Sequence, residues 1–394
     1  MEDRNSFSEA ENKGPQPSAP QRVLITGGAG FIGSRLARRL LALGHEVSIL
    51  DKFSPQIHGD NADLPADLRS SVQLFRGDVR DLELCRRALE GQTVLVHLAA
   101  ETGTGQSMYR VRHYTEVNIG ATAGLMELLL SGKFPLHTMV VASSRAIYGE
   151  GAAQCPAHGL VYPDARSRHT MEAGDFEPKC PHCGSATSML PTSEEAPLHP
   201  SSLYGLTKQV QEQMVLMYAA TLGINGFALR YQNVYGPGQS LKNPYTGILA
   251  IFSNQARANE PINIFEDGRE SRDFVHIDDV VEATRLCVEA SAQRPIALNV
   301  GTGVAVTVAE VVKHTLDYFS SSSQVTVTGA FRLGDIRHNC ASVERLRATL
   351  GFVPSRQFAG GLREFLAWAS GERLEARNYE QSLDEMRKAG LMYG

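Results

Sequence analysis

The segment Thr26-Gly27-Gly28-Ala29-Gly30-Phe31-Ile32-Gly33 constrains this chain more than any other. It follows the apolar run 22–26 and opens a stretch in which Ile32, Leu36, Leu40 and Leu43 recur at helical spacing. A strand that turns through glycines into a helix leaves free backbone N–H groups and a partial positive charge at the helix start. Gly27 permits the tight turn, Gly30 leaves the backbone bare for a pyrophosphate, and Gly33 lets helix pack on strand. The pattern predicts a dinucleotide site at this turn, with Phe31 and Ile32 at its edge. Asp51 lies 18 residues after Gly33, at the end of the apolar run 47–50. A carboxylate there accepts ribose hydroxyls and repels a 2′-phosphate, so the expected cofactor is NAD. Asp78-Val79 and Ala99-Ala100 close two later apolar runs, 72–75 and 94–98, and are expected at the same cofactor.

These apolar runs, with another at 138–142, alternate with helical stretches around 81–90 and 107–131. Alternation of this kind predicts an α/β fold: a Rossmann-type, doubly wound parallel sheet with helices on both faces. Residues 150–200 break the rhythm with Pro, Gly, His and Cys, and read as a Cys/His-rich insertion over 152–198. The pattern resumes with a helix near 202–222 and a strand near 226–231. The expected organisation is a disordered tail over 1–20, an NAD-binding domain over 21–235 and mainly a smaller α/β substrate lobe over 236–394.

Bulk properties exclude several classes. With 38 Lys plus Arg against 43 Asp plus Glu, the net charge of -5 gives no footprint for nucleic acid. No apolar run reaches the roughly 18 residues of a membrane span. The polar N-terminus has no apolar leader core, so a cytoplasmic location is expected. Six cysteines in 394 residues are too few for a disulfide scaffold.

Tyr204 and Lys208 stand at i and i+4, one face of a predicted helix. A nearby ammonium favours phenolate and brings a tyrosine, ordinarily titrating near pH 10, closer to working pH. Ser143-Ser144 ends the strand before them. A Gly fingerprint, a strand-end Ser and Tyr-x-x-x-Lys, in that order, resemble the extended short-chain dehydrogenase/reductase family of nucleotide-sugar enzymes. Asn118 in Asn118-Ile119-Gly120-Ala121-Thr122, Asn233 in Gln232-Asn233-Val234-Tyr235-Gly236, and Arg272-Asp273-Phe274 extend the resemblance. It implies catalytic roles for Ser144, Tyr204 and Lys208. Tyr204, Lys208 and Asn118 would also touch the cofactor, and a homodimer would form through the helices near 107–131 and 202–222.

Elimination of water needs an acid beside the catalytic serine. Here the run is Ser144-Arg145-Ala146-Ile147-Tyr148-Gly149, with no carboxylate, which argues against a dehydratase. A 4-epimerase working through a transient 4-keto sugar needs no such acid. The runs 99–107 and 142–151, and 234–239 with 243–247, resemble the subgroup of 4-epimerases acting on dTDP-deoxyhexoses, so a dTDP-sugar is favoured. Expected substrate contacts are Glu101, Thr104, Gln106 and Arg145. Asn233, Arg272 and Arg337 are expected at the diphosphate, where a guanidinium fork suits phosphate oxygens. Alternatives from the same residues are an NAD(P)H-dependent 4-ketosugar reductase or a non-catalytic NAD-binding regulator.

The insertion carries Cys155-x2-His158 and, 21 residues on, Cys180-x2-Cys183, each pair followed by Gly. Three thiolates and an imidazole close a tetrahedral shell, which predicts a structural zinc.

Overall fold

A computed structural model describes residues 19–60, 62–241, 247–290, 294–373 and 378–394. Nearly all of the expected tail, and residues 243–246 of the 243–247 motif, lie outside them. Seven strands form the central sheet: β1 (Arg22–Thr26), β2 (Glu46–Asp51), β3 (Gln73–Arg76), β4 (Val94–His97), β5 (Thr138–Ser144), β6 (Asn225–Tyr231) and β7 (Ile296–Val300). Their order is β7-β6-β5-β4-β1-β2-β3, parallel throughout. The chain winds one way from β1 to β3 and the other way from β4, so a crevice opens beyond the ends of β1 and β4.

Alternate strand residues feed two cores. Val23, Ile25 and Val96 face helices α1 (Phe31–Ala42) and, through Val280 and Cys287, the later helix Ile277–Glu289. Leu24, Leu95 and Val141 face the helices Leu82–Leu89, Ala121–Ser131 and Leu203–Leu222. Burial on both faces is why β5 reads Thr-Met-Val-Val-Ala, apolar without alternation. Cys85, Cys287 and Cys340 are buried, as small hydrophobes would be.

The stretch after residue 236 contributes to both units. It supplies β7 to the sheet and, with Asn233–Tyr235 just before it, a lobe built on that strand, Ser271–His276 and Ala305–Thr307. That lobe is packed by Phe252, Ile264, Phe274, Val311 and Phe365. At the C-terminus Met392–Tyr393 pairs antiparallel with Phe331–Arg332. The insertion forms an antiparallel sheet from Ala153–Cys155, Gly159–Val161 and Ser188–Met189.

The expected helix over 107–131 is broken. Short turns at Thr104–Ser107 and Val111–Tyr114 precede a π-helical stretch, Thr115–Gly120, which leads into Ala121–Ser131. The Tyr114 hydroxyl donates to the Thr102 carbonyl at 2.7 Å and ties this segment to the loop after β4.

Candidate active site

The glycine turn explains itself sterically. At Gly27, where φ is +71°, an added Cβ would lie 2.8 Å from the Ala99 nitrogen. At Gly33 it would lie 2.6 Å from the Gly27 carbonyl oxygen. At Gly30 an added Cβ would meet only the Gly27 carbonyl oxygen, at 3.2 Å, so this glycine borders open space. The turn is pinned by Asp51, which accepts from the Ala29 N–H at 3.0 Å and the Phe53 N–H at 2.8 Å. A carboxylate accepts about four hydrogen bonds, so capacity for ribose hydroxyls remains.

A cleft of about 490 Å³ opens here, within the range of small-molecule sites. Gly27, Gly30, Phe31, Ile32, Gly33, Asp51, Asp78, Val79, Ala99 and Ala100 line it, and so do Ser144, Tyr204 and Lys208. Asp78 is held by Arg80, which donates to both carboxylate oxygens at 3.0 and 2.9 Å. Glu101, also on the wall, is paired with Lys52 at 2.7 Å and His113 at 3.1 Å. A second cavity of about 180 Å³ adjoins the first, and both are lined by Thr104, Arg145 and Asn233. Arg272, Arg332 and Asp335 line the second cavity. Among the described residues, Arg145 Nη1 and Asn233 Oδ1 are buried with no hydrogen-bond partner. Buried polar atoms are ordinarily paired, so these two mark where a polar ligand belongs.

Helix Leu203–Leu222 begins at Ser202, whose hydroxyl accepts from the Gly205 N–H and fixes the first turn carrying Tyr204. Burial pushes the Tyr204 phenol up, against the Ser144 hydrogen bond and the charge of Arg145, which both pull it down. The expected neighbour effect therefore comes from Arg145. Lys208 points elsewhere: its Nζ donates to Gln211 Oε1 at 2.6 Å. The Gln211 amide nitrogen donates to His97 Nε2 and Thr122 Oγ1, each at 3.0 Å. That arrangement turns the amide oxygen toward the lysine. Burial still lowers the Lys208 ammonium to about 7, and burial likewise lowers Arg145, helped by the charge of Arg272, to about 9.

The structure places three expected site residues off the walls of both cavities. Arg337 is fully buried and lines neither cavity. Its guanidinium pairs with Glu177, Glu266 and Asp267 at 2.7 to 2.9 Å, so its role is structural. Arg332, five residues earlier, faces the second cavity instead. Asn118 is buried in the π-helical stretch and lines neither cavity. It exchanges hydrogen bonds with the Glu101 backbone at 2.8 and 3.1 Å and donates to Thr207 at 2.9 Å. It braces the β4 loop against the Tyr204 helix. Gln106 is also buried and off the cavity walls; it accepts from the Tyr114 hydroxyl at 3.1 Å, while Gln56, its partner at 3.3 Å, lines the cleft. The sequence reading missed Arg332 and Asp335. Their signal was present, since Arg332-Leu333-Gly334-Asp335 combines a phosphate-binding side chain with a turn glycine.

In the insertion the ligand atoms of Cys155, His158, Cys180 and Cys183 all lie within 4.8 Å of one another. Cys155 Sγ is 3.7 Å from Cys183 Sγ, far outside a disulfide bond. His158 Nδ1 is 3.5 Å from Cys155 Sγ and 3.6 Å from Cys180 Sγ. Zinc bonds of about 2.3 Å to sulfur and about 2.0 Å to nitrogen, at tetrahedral angles, give edges of about 3.8 and about 3.5 Å. The four atoms could therefore hold a tetrahedral metal.

Comparison with known proteins agrees with this geometry. The profile of the NAD dependent epimerase/dehydratase family matches residues 23–168 and 180–301, more than half of the chain. The dTDP-L-rhamnose 4-epimerase of Burkholderia thailandensis is 36% identical over 91% of this chain and 97% of its own length. Among solved structures, MoeE5 in complex with UDP-glucuronic acid and NAD is 30% identical, with a TM-score of 0.71, covering 89% of this chain and 99% of that one. The Thermotoga maritima UDP-glucose 4-epimerase with UDP-glucose is 26% identical, also with a TM-score of 0.71, over 89% and 98%.

Proposed function

The chain belongs to the NAD dependent epimerase/dehydratase family, and on that premise we propose that it is an NAD-dependent nucleotide-sugar 4-epimerase acting on a dTDP-deoxyhexose such as dTDP-L-rhamnose. The observation that carries this reading is the junction of the two cavities. Ser144 and Tyr204 stand on the dinucleotide side, and Arg272 and Arg332 stand on the other, with Arg145 between them. The cleft fits NAD: the bare Gly30 backbone borders open space and Asp51 has acceptor capacity for a diol.

When bound, NAD supplies a hydride acceptor and then a hydride donor at sugar C4. Tyr204 takes the C4 hydroxyl proton and later returns it to the alkoxide on the opposite face. Ser144 hydrogen-bonds the same oxygen. Arg145 places positive charge at the phenol, and Lys208, one turn along the helix, lines the same cleft on the dinucleotide side. Arg272 and Arg332 hold the diphosphate while the keto sugar turns over beside Tyr204. Asn233 stands beside them, and its unpaired Oδ1 accepts a hydrogen bond from a substrate hydroxyl. Glu101 and Thr104 border the sugar.

The thiol and imidazole set of the insertion suits a structural zinc, with no position left for water. Exposed Leu206 and Met217 on helix 203–222, and Val111 and Leu130 across the facing segments, suit a homodimer interface. Among the described residues no helix is long and apolar enough to cross a membrane, and a cytoplasmic site of action fits the substrate class.

Proton NMR of the purified protein with dTDP-L-rhamnose and no added cofactor tests the reading. A second dTDP-sugar inverted at C4, approaching equilibrium, is expected. Conversion of a 4-ketosugar with stoichiometric loss of NADH or NADPH, and no epimerisation, would replace the epimerase reading with the reductase.

A further inference from the structure

The insertion packs on the stretch of chain that bears the substrate-facing residues. Arg166, within it, is buried, with a side chain 3% exposed. Its guanidinium donates to Glu150 Oε1 at 3.0 Å and to Glu266 Oε2 at 2.9 Å. It also donates to the Phe176 carbonyl at 3.2 Å and to the Asp335 carbonyl at 3.0 Å. Glu150 in turn accepts from the Arg337 N–H at 2.8 Å, and Glu177 of the insertion pairs with Arg337 and His338. Apolar contact adds to this grip: Met171 and Phe176 pack on Phe331.

The segment so held, 331–338, carries Arg332 and Asp335 into the second cavity. Asp335 lies between two arginines, 2.6 Å from Arg332 and 3.5 Å from Arg272. Burial would raise its carboxyl, but the charges of Arg332, Arg272 and Arg145 hold it well below the ordinary range. Its position therefore sets where two guanidinium groups stand. Arg166 fixes the backbone carbonyl of that same residue. A planar fork with five donors can hold four acceptors on four separate segments at once, which an ammonium cannot.

The geometry points to Arg166 as a positioning residue for the nucleotide diphosphate, and to the insertion as the buttress of that subsite. Arg166 does not touch the substrate. It fixes Asp335, which aligns Arg332 and Arg272. The insertion thus explains why a short, polar, metal-ligating unit is placed between Ser144 and Tyr204: it stiffens the substrate side of the cleft and leaves the dinucleotide side alone. This inference rests on the nucleotide-sugar reading.

Arg166→Met and Arg166→Lys, in the full chain, test it. dTDP and UDP serve as probes in titration calorimetry, with NAD content and kcat against KM measured on the same preparations. Wild type is expected to bind at least one probe. Both variants are expected to bind it at least tenfold more weakly and to show a raised KM, with NAD content and the pH profile of kcat unchanged. Unchanged nucleotide affinity in a variant that retains NAD overturns the positioning role. Wild type that binds neither probe overturns the nucleotide-sugar reading, and this inference with it. Should Arg166→Met lose NAD and fail to fold, Glu177→Gln decides the matter. Its carboxylate is 35% exposed, and it is expected to weaken the probe severalfold; no change there rejects the buttress.

Discussion

Lys208, proposed as a catalytic residue, carries a cost to stability that can be measured. Its ammonium is buried and, among the described residues, donates to Gln211, so burial lowers its pKa to about 7. An unfolded lysine titrates near 10.4. Between these values the unfolded chain binds more protons than the folded one, so stability must rise with pH across that window. Below pH 7 both states are protonated and the full cost of burial is present; above about 10 it is gone. At about 1.4 kcal/mol per pKa unit the difference is on the order of 5 kcal/mol. Lys208→Met removes the charge and keeps the length and most of the volume. It also leaves Gln211 Oε1 unpaired, a loss of about 1–3 kcal/mol. The variant should therefore be inactive yet more stable than wild type at pH 6.5 by about 2–4 kcal/mol, the remainder of these two terms. The advantage should disappear toward pH 9.5 and above. Urea denaturation of NAD-stripped wild type and variant, at half-unit steps from pH 6 to 9.5, reads this directly. The difference between the two curves isolates Lys208 from every other titrating group. A constant difference across the series would refute the argument, because it would mean the lysine carries no desolvation cost.

Other outcomes follow from the same geometry. Tyr204→Phe should lower kcat by about 10²–10⁴ while NAD content stays at the wild-type level, as measured by absorbance after denaturation. Arg332→Met should raise the Kd for dTDP by about tenfold or more through loss of charge-assisted hydrogen bonds. Arg337→Met should instead destabilise folding by about 3–5 kcal/mol, because it removes the buried guanidinium that Glu177, Glu266 and Asp267 share; urea melts and nucleotide titration together separate the two. Gly33→Ala drives a Cβ to within 2.6 Å of the Gly27 carbonyl and should empty the protein of NAD, visible as a lost cofactor absorbance. On the proposed zinc site, metal analysis should find one zinc per chain in wild type and none in Cys183→Ser, whose residues 152–198 should become open to limited proteolysis with far-UV circular dichroism of the rest preserved.

Sequence alone determined the parts that local backbone chemistry dictates. Glycines that must turn tightly, strands apolar on both faces and a Tyr-x-x-x-Lys pair on one helical face are legible because each depends on neighbours in the chain. The Cys155, His158, Cys180 and Cys183 set was equally legible, since ligand spacing is itself the signal. Tertiary structure alone decided which side chains reach the cleft. Arg332 and Arg337 are two arginines on one short segment, indistinguishable by composition, yet one lines a cavity and the other is sealed among carboxylates. Asn118 and Gln106 likewise lay on the expected segment but were turned inward by a π-helical stretch and by the Tyr114 hydroxyl. The orientation of Lys208 toward Gln211 and His97 depends on residues 114 and 89 positions away from their partners, Gln211 from His97 and Gln211 from Thr122. Local pattern specifies what a residue type can do, but direction and burial come from packing between segments distant in sequence. For that reason the cofactor turn was readable in the chain, whereas the side chains that line the second cavity follow only from how the lobe and the insertion pack.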